Sequence, residues 1–290
     1  MSIWIDSILQ GILLGAIYAL FAAGLSLVFG VMRLVNVAHG DFIVLAAFLA
    51  LWLQKLFGFS TPFWTLLLLV PLMFVLGYVL QRAVINPALT ENVLRPLLIT
   101  FGLSIIVQNG LLQIFSADAQ KLQGGSLEVV SFALPGGLAL GAFPLLMLAI
   151  SVAILGGLQS LMFHTRLGRA LRATSDDIKT ASLMGVRTPH LFSIASGLAL
   201  ATVAVAGVFS GIRASFIPTN GPDWLIFAFE AVIIGGLGSL WGTLAGGIIL
   251  GVAQSIGAHF SPGWQLLTGH LVFLALLMLR PRGLFPRRTE

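Results

Sequence analysis

The stretch HTRLGRALRATSDDIKTASLMGVRTP, His164 to Pro189, is the one long polar run in a chain that otherwise reads as membrane, and the rest is placed relative to it. At 100° per residue, Leu167, Leu171, Thr174, Ile178 and Ala181 fall on one side of a helix and Arg169, Arg172, Asp176 and Lys179 on the other. The spacing predicts a short amphipathic element. Thr174, Ser175 and Asp176 are good N-cap residues, and Asp177 three places after Thr174 makes a capping-box variant, so a joint here could divide the element into two helices. Gly185 supplies a C-terminal stop, Thr188 a new cap and Pro189 the first position of the next helix. An ordinary loop needs no such order. A helix stopped at both ends suits a surface that something pushes on, while a basic helix resting at the lipid headgroups would show the same periodicity.

Outside this stretch composition sets the class. The chain is 58% hydrophobic and 9% charged, where a soluble domain carries about 25% charged residues; its mean hydropathy is +1.04. It is predicted to be an all-α polytopic membrane protein. The absence of cysteine excludes disulfides, thiolate metal sites and cysteine nucleophiles. A net charge of +5 and a pI near 10.4 fit arginines held in cytoplasmic loops rather than a nucleic-acid partner.

From the amino end, residues 1–10 lack a basic n-region, and the apolar run Ile8 to Gly30 is too long for a signal peptide core, so a retained span is expected. Gly11 and Gly15 give it a face that another helix can approach closely. The run Phe29 to Phe42, with Arg33, Asn36, His39, Gly40 and Asp41, then interrupts the hydropathy, and the piece that follows, Phe42 to Leu53, looks too short to span comfortably. Such an interruption reads either as a broken helix lining a transport path or as a polar cytoplasmic turn.

Further spans are expected at Pro62–Leu80, Pro96–Phe115, Phe143–Phe163, Leu191–Phe209 and Trp264–Leu279. Between Trp224 and Ala258 lies one very long helix or a pair broken around Gly235 to Ser239, with Gly238, Gly242 and Gly246 at every fourth residue and Gly247 and Gly251 on an adjacent face. The total is about eight or nine membrane segments, short broken helices included, in one domain over residues 1–290. External loops are expected at 116–142, with a small hairpin turning at Pro135-Gly136-Gly137, and at 211–224.

Two ordered runs resemble the permease subunits of the branched-chain amino-acid ABC importer family: Gly24 to Phe42, GLSLVFGVMRLVNVAHGDF, and Gly168 to Val186, GRALRATSDDIKTASLMGV. The resemblance implies that segment 164–189 is a cytoplasmic coupling helix that docks into an ATPase subunit, through Gly168, Arg169, Arg172, Ala173, Asp176, Asp177, Lys179, Ser182 and Gly185. It further implies half of a translocation pore, a related sister permease in a heterodimer, two ATPase subunits, an external substrate-binding protein and a bacterial cytoplasmic membrane. Branched-chain or other hydrophobic amino acids are the implied substrates, with urea or short amides as the alternative.

Charge distribution tests this topology. With 164–189 and the tail after Arg280 both cytoplasmic, an even number of crossings must separate them, so 225–258 has to be a broken pair. The amino terminus then falls outside and the carboxyl terminus inside, with Lys55, Lys121 and Arg213 as the only external cations. Glu230 is the costly residue, since a carboxylate within a span costs about 2.5–3.5 kcal/mol. It is expected either to pair, with Arg213 the natural partner, or to line the path.

The path is expected to run between the two breaks, past Asn36, His39, Asp41, Glu230, Gly236 and Gly238, where freed backbone groups meet water or a passing zwitterion. No phosphate-binding G-x-x-x-x-G-K-[ST] loop, H-E-x-x-H run or paired catalytic carboxylates occur in the spans. No enzyme, cofactor or metal site is therefore expected. An ion-coupled secondary transporter, the rival class, would need several ionisable residues at mid-membrane, and only Glu230 offers itself.

Overall fold

A computed structural model describes residues 2–58, 61–89, 94–134 and 138–285. Within them the chain is predominantly helical. It begins with α1 (Ser2–Met32) and α2 (His39–Phe57), followed by α3 (Leu66–Leu80), which is extended by short 3₁₀ and π turns to cover Pro62–Ala88. After α4 (Leu94–Phe115) come the antiparallel strands β1 (Ser131–Leu134) and β2 (Leu138–Gly141), then α5 (Ala142–His164), α6 (Arg166–Asp176), α7 (Ile178–Leu183) and α8 (Thr188–Arg213). The last three are α9 (Gly221–Gly235), α10 (Leu240–Phe260) and α11 (Trp264–Leu279), followed by a tail that returns to the end of α9. Seven helices among the described residues are long and apolar enough to cross a membrane, and α9 and α11, with 15 and 16 residues, are shorter. The chain is thus an all-α polytopic membrane protein. The hairpin forms as expected, with Ser131 opposite Gly141; its Pro135–Gly137 turn lies outside the described residues.

The centre of the bundle is α1, and its closest neighbour is α10. A Cβ on Gly11 would stand 2.5 Å from the Val252 Cα, and one on Gly247 would stand 2.7 Å from the Gly15 carbonyl oxygen. Added carbons at Gly15 and Gly251 would overlap the facing backbone outright. Lipid tails are as apolar as leucine, so burial gives helices little reason to associate in a bilayer, and close van der Waals contact of this kind has to supply the attraction. The adjacent stripe, Gly242 and Gly246, lies in the same way against Gly235 and Ala231 of α9. The two glycine faces read from the sequence therefore meet two different helices.

Burial follows from this arrangement. In α1, 83% of the apolar window is buried inside the chain, against 17% in α4. The outward side chains of the peripheral helices, such as Leu67, Leu98, Ile106, Ile114 and Leu271, are apolar and exposed, which is the surface a lipid solvent requires.

The first break is narrower than the polar sequence indicated. α1 ends at Met32, Arg33 after it takes a left-handed φ of 53°, and only residues 33–38 leave the helix. Asn36 Oδ1 accepts the Ala38 N–H, so the turn satisfies itself. α2 then starts at His39 and has 19 residues, enough for the hydrocarbon core. The expectation of a piece too short to span is corrected here: His39 and Asp41 find partners inside the bundle, so they do not end the helix. The His39 Nε2–H donates to the Phe21 carbonyl at 2.8 Å. Phe21 lies about 16 Å of helix axis before Met32, so 33–38 folds back along α1 and α2 begins near its middle.

The second break is where the sequence placed it. α9 ends at Gly235, Gly236 and Gly238 take φ of 103° and 79°, and Ser239 caps α10 by accepting the Gly242 N–H at 3.1 Å. The tail after α11 closes the gap: Leu284 N–H donates to the Ile234 carbonyl and Phe285 N–H to that of Gly235, at 2.9 and 3.0 Å.

If backbone contact between α1 and α10 is the main attraction, Gly15→Leu or Gly251→Leu should leave no folded protein after detergent extraction. Leu98→Ala, on the exposed face of α4, should change the melting temperature by no more than about 2 °C, a surface-scale effect. Fluorescence size-exclusion after a heating series reads both, and a well-folded Gly251→Leu protein would refute the assignment.

Candidate coupling unit and membrane-embedded polar sites

The polar stretch folds as two helices with the joint at Asp177. Thr165 Oγ accepts the Gly168 N–H at 3.0 Å and starts α6. Asp177 is itself the cap of α7, its Oδ1 accepting the N–H groups of Lys179 and Thr180, and the Thr180 hydroxyl donates to the other oxygen. The Thr180 hydroxyl first, then the two N–H groups, hold this carboxyl below its ordinary range. A carboxyl lowered by folding stabilises the folded state above its unfolded pKa, and that contribution is lost as the pH falls through the folded value. The cap is thus complete at neutral pH. Gly185, at φ 82°, ends the unit. Thr188 proves to be the first helical residue of α8 rather than its cap, with Arg187 in the cap position and no side chain bonded there.

Leu171, Thr174 and Ala181 are buried as the periodicity requires, but Ile178 is 48% exposed. The joint at Asp177 resets the helical phase, so the apolar stripe of α6 does not continue along α7. Gly168 is buried against the Leu161 and Met162 carbonyls and fixes α6 to the end of α5. Arg169, Ala173, Asp176, Asp177, Lys179, Ser182 and Gly185 are exposed. So are Leu183 and Met184, at 87% and 80%, which the sequence reading passed over because both lie at the frayed end of the pattern. Arg172 turns inward instead, its guanidinium 4.6 Å above the Phe163 ring.

The Ser175 hydroxyl ties the unit to the bundle, donating to the Gly30 carbonyl at 2.7 Å. Gly30 in turn abuts Gly238 of the second break, where a Cβ on Gly238 would stand 2.9 Å from the Gly30 Cα. Gly238 and Gly30 line a cavity of about 330 Å³ with Arg172, Trp241 and Phe285 among its other walls.

The remaining residues expected on the path lie elsewhere. Asn36 and His39 border a separate space of only about 20 Å³. Asp41 is buried, accepts from Gln108 Nε2 at 2.9 Å, and touches Gly221 where α9 begins. The starts of α2 and α9 therefore meet inside the bundle, Gly40 against Gly221. Gly236 packs against Gly283 of the tail.

Glu230 is 4% exposed, and its Oε1 lies 2.6 Å from His270 Nδ1 of α11. The partner is His270 and not Arg213, because α11 lies against α9 and brings the imidazole to the carboxylate. Glu230 Oε2 has no partner among the described residues. Nearby, the Tyr18 hydroxyl donates to Gln254 Oε1, and Phe227 lies between the two pairs, its ring centroid 4.9 Å from Tyr18 and 6.3 Å from His270. Gln108, beside Asn109 in the apolar α4, and Gln254, the one amide of α10, were the signal in the sequence for these contacts.

A membrane bundle of broken helices, with a capped polar helical unit seated on one end and paired polar residues inside, belongs to the class of transport permeases rather than enzymes. The match to a family model makes this specific: residues 7–280 match the branched-chain amino acid transport system / permease component family, and the chain belongs to it. It is 29% identical to the high-affinity branched-chain amino acid transport system permease protein BraD of Pseudomonas aeruginosa, over 98% of this chain and 96% of that protein. Identity to LivH of Escherichia coli K12, the permease of the same description, is 27% with the same coverage. LivM of that organism is 27% identical over 93% of this chain and 68% of its own length. No solved structure gives a significant match.

The buried pair makes its own prediction. His270→Leu leaves Glu230 without a partner, at a cost of about 1–3 kcal/mol for an unsatisfied buried polar group, and Glu230→Gln in the same chain should restore part of it. Melting of the two purified variants checks this. A single variant as stable as the parent would show that the pair contributes nothing.

Proposed function

We propose that the chain is one half of the translocation pore of an ABC importer for branched-chain or other hydrophobic amino acids, driven by separate ATPase subunits that dock on α6 and α7. The observation that carries the docking is the exposed pair Leu183 and Met184, held out on a capped helix beside Arg169, Asp176 and Lys179. Two neighbouring, almost fully exposed apolar side chains among charges, outside the lipid-facing surface, suit insertion into a protein socket. The inward bond from Ser175 to Gly30 supports the same reading, since a docked unit has to be attached to the spans it moves.

The charges support the orientation. One end of the bundle gathers Gly30, α6, α7 and the tail with Arg280 and Arg282; the other gathers Trp4 beside His259 and the bridge between Gln120 and Phe216. By the positive-inside tendency the first end is cytoplasmic. The amino terminus then lies outside and the carboxyl terminus inside a bacterial cytoplasmic membrane. The sister permease, making a heterodimer, two ATPase subunits and an external binding protein complete the assembly, as the names LivH and LivM borne by two relatives in one organism support. The permease names of the relatives favour leucine-like substrates over urea or short amides.

Leu183→Asp with Met184→Asp should release the ATPase subunits from the purified complex and reduce uptake of labelled leucine in proteoliposomes at least tenfold, while the permease stays in the membrane. Undiminished uptake would refute the docking role. For orientation, cysteines replacing Ser126 and Ser182 are read with an impermeant thiol reagent on sealed cells; the native chain has none to interfere. The Ser126→Cys chain should label and the Ser182→Cys chain should not, and the opposite pattern would invert the topology.

A further inference from the structure

The cavity of about 330 Å³ beneath α6 is two-sided. Leu27, Met162, Phe163 and Leu240 line its apolar part; Ser26, Gln159, Ser239 and Arg172 line its polar part. Arg172 is the one charged residue in the lining, and no carboxylate among the described residues comes within ion-pair distance of it. Its Nε is buried without a hydrogen-bond partner. One face of the guanidinium is satisfied by the Phe163 ring, but that contact is worth only about 0.5–2 kcal/mol and gives the buried Nε–H no acceptor. A partly buried cation in this position is incomplete without an anion.

Two further features specify what kind. The polar part includes the first turn of α10, a 21-residue helix whose amino end favours negative charge, and the Ser239 hydroxyl that caps it accepts from the Gly242 N–H, leaving its own proton to donate. The rim carries Phe163 and Trp241, 49% and 48% exposed, and Trp at a rim between apolar and polar surface is the usual residue of a membrane interface. A free inorganic anion would have no use for the apolar half of the cavity.

We propose that this cavity holds the phosphate of an anionic phospholipid, with Arg172 forking onto the phosphate oxygens and the upper acyl chain lying along Leu27, Met162 and Phe163. An arginine fork matches phosphate in geometry as well as charge. The lipid would sit where α6, the end of α1 at Gly30 and the second break at Gly238 converge, so its presence would stiffen the joint between the polar unit and the spans. The site requires neither a docked ATPase nor a particular substrate, and it stands or falls apart from the proposed transport reading.

The test uses the full-length permease, delipidated in detergent, with dioleoylphosphatidylglycerol as the probe and native mass spectrometry and melting as readouts. The parent should retain one tightly bound lipid and melt several degrees higher with it. Arg172→Gln, which removes the charge and the guanidinium fork and keeps the start of the aliphatic stem, should weaken retention at least tenfold and abolish the thermal gain; Arg169→Gln, exposed on the same helix, should do neither. Should Arg172→Gln fail to fold, Trp241→Ala gives a second reading and should weaken retention at least threefold. Equal retention of dioleoylphosphatidylcholine, or full retention by Arg172→Gln, would overturn the proposal. Stabilisation of the parent by glycerol phosphate or inorganic phosphate to the same extent would assign the site to a free anion. Loss of the bound lipid on adding the ATPase subunits would assign Arg172 to a carboxylate of that partner.

Discussion

The direct backbone contact between α1 and α10 is the constraint on which the rest of this protein depends. Along Gly11, Gly15, Gly247 and Gly251 no side chain separates the two helices, and in a solvent as apolar as the helices themselves only such close contact holds them together. It places the longest helix at the centre, where α5, α8 and α9 surround it. It also sets the depth of α10 against α1, so that Gly238 at the start of one comes to rest on Gly30 near the end of the other.

A second constraint follows from the breaks. Backbone leaving a helix within a bilayer must find partners in the protein, and here each break finds them differently. Residues 33–38 use the Asn36 side chain and lie along α1, with the Val37 N–H donating to the Thr100 hydroxyl at 3.2 Å. The stretch Gly236–Ser239 uses positive φ at two glycines, a serine cap and the returning tail. The second arrangement is held by the returning tail and a single hydroxyl, together with the contact of Gly238 on Gly30. The seating of α6 beside it, through Ser175 and Gly30, links the polar unit to this second break.

The polar residues within the spans are arranged as pairs, Asp41 with Gln108, Tyr18 with Gln254 and Glu230 with His270. Pairing lowers the cost of each in a bilayer, and it also fixes the relative rotation of the helices that carry them. Asp41 has the further effect of joining the starts of α2 and α9, two helices that both begin inside the bundle. His39 and Asp41 therefore hold the starts of α2 and α9 in place.

Composition, the period of the polar stretch and the spacing of the glycines were enough to determine an all-α membrane protein with a separate amphipathic unit and a break at Gly235 to Ser239. These are local properties: hydropathy is set by the bilayer, capping by adjacent residues, and glycine spacing by the helical repeat. What the tertiary structure alone decided was partnership. The sequence offered Arg213 for Glu230 and the structure gave His270, since which helices lie side by side is not recorded in either one. It treated His39 and Asp41 as part of the interruption, and their bonds to the Phe21 carbonyl and to Gln108, on other helices, let α2 begin at His39. Ile178 changed sides for a related reason. A periodicity continues only while the helix does, and a single capping carboxylate at Asp177 was enough to reset it.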